Sequence, residues 1–283
     1  MEITLCEEQA YFFVPQVSLE VAQDRVENKK AQILAGAVGA LLIRPKPDEI
    51  RMLSMENRLE PFWLVRISGR VIYDRVVTYS VPVGGSDVEK VEVSGQEFIP
   101  ETKGKDGPRL SLRAVEHCRD ERKVQHTFDA LTGEPKDFTK YLPYAKTVIN
   151  DLDGFAPNGV LVLPPQVRAT AVTRQVMVEV IKPVQNANTI HEEVVNVEAL
   201  DLSFRPVYAF EYEWAAKGKH AIVEFDGLTG EVNLGGRKMR DQFKQIVTKD
   251  LLFDVTADAV GMILPGGSIA VKLVKAVVDQ KSG

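Results

Sequence analysis

The chain has 283 residues, with 35 Lys and Arg against 40 Asp and Glu, a net charge of -5. Hydrophobic residues make up 45% and charged residues 27%, so the chain can bury a core as one large domain or two ordinary ones. The acidic balance disfavours a general nucleic-acid binder, and two cysteines, Cys6 and Cys118, exclude a disulfide scaffold and a four-cysteine zinc site.

The N-terminus, Met1-Glu2-Ile3-Thr4-Leu5, has no basic stretch followed by an apolar one, and no run of 18 uncharged apolar residues occurs. The expectation is a cytoplasmic chain without a transmembrane segment. Leu19, Ala22, Val26 and Ile33 share a helical face, with Ser18 as N-cap. Trp63–Ile67 reads as a strand. Val77, Tyr79, Val81 and Val83 alternate, Gly84-Gly85 turns the chain, and Val88–Val93 returns it, so an extra hairpin is expected within about 75–115. Residues 99–110 read as a polar loop.

The second half runs in a similar order. Val172, Val176 and Val180 predict a helix within Arg168–Ile181. Val194–Leu202 and Val207–Trp214 predict two strands, and His220–Phe225 a third. In Val207–Trp214, Tyr208, Phe210, Tyr212 and Trp214 fall on one face, with Glu211 and Glu213 on the other. In the tail, Met239, Phe243, Ile246 and Val247 give one helical stripe, and Ile269, Leu273, Ala276 and Val277 another.

Three landmarks recur in order. Pro15-Gln16-Val17 returns as Pro165-Gln166-Val167. Leu59-Glu60-Pro61-Phe62-Trp63 matches Phe204-Arg205-Pro206-Val207-Tyr208. Phe128-Asp129-Ala130-Leu131-Thr132-Gly133-Glu134 matches Phe225-Asp226-Gly227-Leu228-Thr229-Gly230-Glu231. The expected fold is therefore α+β: two duplicated helix-on-antiparallel-sheet units, an extra hairpin in the first, and a helical C-terminal tail. The expected divisions are 1–155, 156–236 and 237–283.

The stretch Ala221–Val232, ending in Asp226-Gly-Leu-Thr229-Gly230-Glu231-Val232, resembles the closing strand and turn of PepSY-type modules, and Val124–Glu134 repeats it. The resemblance covers about half of the chain. It implies helix-plus-sheet modules and a binding or inhibitory role.

Asp129, Thr132 and Gly133, with Asp226, Thr229 and Gly230, read as structural turns in which the Asp side chain caps its own loop. His117, Cys118 and His126 form the densest set of metal-ligand or nucleophile types, although no paired ligand spacing accompanies them. His126 aligns with Val223, which predicts a core-facing ring. The aromatic set Trp63, Tyr208, Phe210, Tyr212 and Trp214, together with Leu273, supplies the candidate partner-binding residues.

No cofactor is expected. The favoured function is a non-enzymatic binding or assembly protein, recognising a protein or peptide partner, or itself, through sheet edges or the apolar tail. The alternative is a metal- or Cys-dependent hydrolase centred on His117, Cys118 and His126. A membrane-surface contact through the tail is a third reading.

Overall fold

The computed structural model describes residues 1–42, 46–85, 87–102, 107–215, 218–235, 248–255 and 272–275. The strands are β1 (Glu2–Leu5), β2 (Gln9–Phe13), β3 (Ile50–Pro82), β4 (Val91–Val93), β5 (Gln96–Phe98), β6 (Glu101–Thr102), β7 (Pro108–Asp129), β8 (Lys146–Val148), β9 (Leu161–Val162), β10 (Thr189–Trp214), β11 (Lys219–Asp226), β12 (Val232–Leu234) and β13 (Lys272–Lys275). The helices are α1 (Leu19–Leu42), α2 (Ala169–Val180) and the single turn α3 (Lys249–Leu252).

The chain is mostly β, and all the strands except the β4–β5 hairpin belong to one mixed sheet among the described residues. This corrects the expected α+β class of two helix-on-sheet units. The long strands β3 and β10 pair antiparallel from Trp214↔Ile50 to Thr189↔Asp74, which fuses the two halves into a single layer. The outer edge of β3 carries β9 and then β7, and that of β10 carries β1, β2 and then β11.

The two strands expected at 194–202 and 207–214 are one. Pro206 does not interrupt it, because β2 stops at Phe204 and β11 starts at Val207. Proline is tolerated where the ladder changes partner and no N–H is needed. Pro61 holds the matching place on β3, between β9 at Leu59 and β7 at Phe62.

Both helices lie on the same face of the sheet, since Trp63 pairs with Leu202 and Asn57 with Tyr208 in continuous register. Each covers strands from the other half of the chain. Ala22, Val26 and Leu34 of α1 pack on Tyr208, Phe210, Tyr212, Trp214, Val223 and Phe225 of β10 and β11. Val172, Val176, Met177 and Val180 of α2 pack on Trp63, Val65, Ile67 and Phe128 of β3 and β7, together with β10 residues such as Leu202. Burying each such large side chain stabilises by about 1.5–3 kcal/mol. Gly69 lets α2 sit this close, because a Cβ there would meet Val180 Cγ1 at 2.6 Å. Ser18 Oγ accepts the Val21 N–H at the start of α1.

The expected hairpin also differs. Val76–Pro82 pairs with Arg109–Val115 of β7 rather than with Val88–Val93. Beyond Asp74, where the pairing with β10 ends, these strands form an arm that is two-stranded up to its tip, where β6 joins β7 at Pro108 and Arg109. Leu110, placed in a loop by sequence, is a buried residue of β7.

In the tail, the stripe Met239, Phe243, Ile246 and Val247 lies outside the described residues, as do Ile269, Ala276 and Val277. Leu273 is in a strand, not a helix: β13 runs parallel to β1, with Leu273 opposite Ile3. Among the described residues, no helix is long and apolar enough to cross a membrane.

Candidate functional site

The matched landmarks meet crosswise. Gln16 and Val17 donate their N–H groups to the Gly227 carbonyl at 2.9 and 3.0 Å, and Gln166 and Val167 donate theirs to Ala130 at 2.8 and 3.0 Å. Trp63 Nε1 donates to the Val167 carbonyl at 2.9 Å, and Tyr208 Oη to that of Val17 at 2.8 Å. Asp129 accepts the Leu131 N–H, and Asp226 those of Leu228 and Thr229. Gly133 and Gly230 supply the left-handed backbone at φ 80° and 73°. Thr132 and Thr229 each accept an N–H from the following Glu.

Trp63, Tyr208, Phe210, Tyr212 and Trp214 are all buried beneath the helices. The reading of these rings as a partner-binding platform is therefore corrected: α1 and α2 occupy the face they would have offered. The polar atoms of Tyr212 and Trp214 are also used internally, on Glu27 and Glu49.

The opposite face carries a small buried apolar cluster, Phe13, Phe62, Phe138, Tyr141 and Leu228, beside a network of charged groups. Arg58 is fully buried between Glu56, Glu60 and Glu224. Arg205 bonds Glu60 and sits 2.9 Å from Asp226 Oδ2. Burial works against its charge, but Glu60, the Tyr141 hydroxyl and Asp226 hold it charged. Tyr141 donates to Asp226 and rests against Phe62 and Phe138 under the 134–145 loop. Burial pushes the Asp226 carboxyl up, but the Tyr141 hydrogen bond, the Thr229 N–H and the Arg205 charge together leave it below the usual range.

Two bulges in β10 aim further polar groups at this face. The register skips His191 and Glu198. Glu198 reaches Lys123 at 2.7 Å. His191 Nε2 lies 2.7 Å from Asp74 Oδ2, and His117 Nδ1 lies 2.7 Å from Asp74 Oδ1. One carboxylate thus ties β3, β7 and β10 together where the arm leaves the sheet. The hydrogen bonds from the two imidazoles hold the Asp74 carboxyl below its usual range.

The sequence-predicted trio is not brought together. His117 and His126 are nine residues apart on β7 and point to opposite faces. Cys118 shares the His126 face, and its thiol contacts the Glu116 carbonyl. The His126 ring is half-exposed and 3.0 Å from Glu179 of α2, which corrects the expected core-facing ring. Sequence alignment with Val223 missed this because α2 ends above His126 with a Glu. Among the described residues, no group of three or more His, Cys, Asp and Glu is arranged to hold a metal ion.

What sequence reasoning missed is the outer edge of β7. Its inner edge pairs with β3 from Phe62↔Asp129 to Pro82↔Arg109. On the outer side, β6 covers Pro108 and Arg109, and Lys136 donates to the Thr127 carbonyl. Among the described residues, no backbone pairs with the outer side from Leu110 to Gln125. Val83 N–H donates inward to Pro108, whereas Asp129 N–H donates outward to Glu134. Alternation then turns the N–H groups of Ser111, Arg113, Val115, His117, Arg119, Glu121 and Lys123 outward. Val115 is 55% exposed, and Val76, Tyr79 and Val81 of the arm are also exposed. The signal available in sequence was the run Arg119–Lys123, since charge on a strand is how unpaired edges are kept soluble. A scan against family models, a search of curated proteins and a search of solved structures each return no match.

Proposed function

We propose that the protein is a non-enzymatic binding or assembly protein that takes an extended polypeptide segment onto the outer edge of β7. The observation that carries this reading is the row of outward N–H and C=O groups between Leu110 and Gln125, left open among the described residues. Main-chain hydrogen bonds to such an edge supply affinity, and alternate side chains supply selectivity. The arm supports the same reading, because an isolated two-stranded ribbon is marginal in water and gains from a third strand.

The test is site-specific photo-crosslinking in the full chain. A photoreactive residue at Val115 or Arg119 gives a discrete adduct, and the adduct disappears on Arg113→Pro. Proline there removes an outward donor and no inward bond. An adduct equally strong from exposed Val178 on α2, or unchanged by the proline, overturns the reading.

A further inference from the structure

We infer that the segment taken by this edge is β7 of a second copy of the chain, paired antiparallel about a twofold axis at His117; this rests on the edge reading above. The open stretch, Leu110 to Gln125, has His117 near its middle. An axis there pairs residues 110–124 with their counterparts and uses almost the whole edge.

The charges select this register. In a twofold strand pair, like charges directly opposite destabilise and opposite charges stabilise. With the axis at His117, Arg113 faces Glu121 of the second copy, twice. Leu110 faces Val124, Val115 faces Arg119, Leu112 faces the stem of Arg122, and no two like charges are opposed. Moving the axis one residue toward the N-terminus puts Arg113 against Arg119 and Glu116 against itself. Moving it one residue the other way puts Arg113 against Lys123 and Glu116 against Asp120. Only even register sums are allowed, because outward groups must meet outward groups, so these are the neighbouring choices. The joined sheet is continuous across two copies, with both sets of helices on matching faces.

Sedimentation of the full chain over a range of concentration is the experiment, with a charge exchange as the specific arm. Arg113→Glu and Glu121→Arg alone each raise the dimer dissociation constant by about tenfold, a loss of about 1.4 kcal/mol. Together they restore it. In a Cys118→Ser background, His117→Cys forms an intermolecular disulfide, since opposed residues of a bonded pair have Cα atoms about 5.5 Å apart, within disulfide reach. A dimer indifferent to both single variants, or a double variant no better than the singles, overturns the inference. A chain that stays monomeric while Val115 still crosslinks to a protein of another mass overturns the second copy and leaves the edge reading standing. A monomer with no edge adduct overturns both.

Discussion

Trp63 and Val167 are 104 residues apart, and the indole Nε1 of Trp63 donates to the Val167 carbonyl at 2.9 Å. This bond fastens the segment entering α2 to the middle of β3. Tyr208 does the same for the segment entering α1, through Val17. Trp63→Phe and Tyr208→Phe each leave a half-buried carbonyl without its side-chain donor, which costs about 1 kcal/mol. The pairs lie in different core clusters, so the double variant loses close to the sum. Urea unfolding of the four proteins checks this, and a strongly non-additive result contradicts it.

The Arg205 network predicts an acid limit. The folded Asp226 carboxyl titrates below its unfolded value of about 3.9. Its contribution is therefore complete above that value and is lost as pH falls through the lower folded value. Asp226→Asn flattens the dependence of the urea midpoint on pH below about 4. Arg205→Met leaves Asp226 buried without its cation and Glu60 with Arg58 alone, and costs about 3–5 kcal/mol.

Cys6 is expected to be inert. Burial, reinforced by the Asp201 charge, raises its thiol to about 11. At pH 8 in the native protein it stays unmodified by a thiol reagent and reacts only once denaturant opens the sheet. Mass spectrometry after brief alkylation reads this directly; native-state labelling of Cys6 counts against the burial described.

Gly133→Ala and Gly230→Ala each force a side chain into the left-handed region, at a cost of about 1–2 kcal/mol. Gly133→Ala costs more, because its new Cβ meets the Val167 methyls at 3.3 Å, while the nearest atom at Gly230 is the mobile end of Arg25 at 3.5 Å. Equal losses at the two turns contradict this ordering.

The local chemistry of the fold was readable in the sequence, and its long-range pairing was not. Alternation at Tyr208–Trp214 separates buried rings from half-exposed glutamates because that strand is covered on one face only. Nothing local says that Ile50 pairs with Trp214, or that α1 crosses to cover β10 and β11 of the other half. Pro206 reads as a break because proline usually ends a strand; its exemption depends on where β2 stops and β11 begins. Asp74 drew no notice because its partners, His117 and His191, are 43 and 117 residues away and one of them sits in a bulge. The β7 edge escaped for the opposite reason. An open edge is defined by the strand that is not beside it, which a sequence cannot state.

Single-residue hydrogen exchange along β7, at low and high concentration of the full chain, reads the outer edge donor by donor. Arg113, Val115, His117 and Arg119 are expected to exchange fast in dilute protein, the intervening residues slowly throughout, and the first set to gain protection by about tenfold or more as the chain associates. Uniform protection of both sets in dilute protein, or an odd-numbered set that stays unprotected in the associated chain, would contradict this expectation.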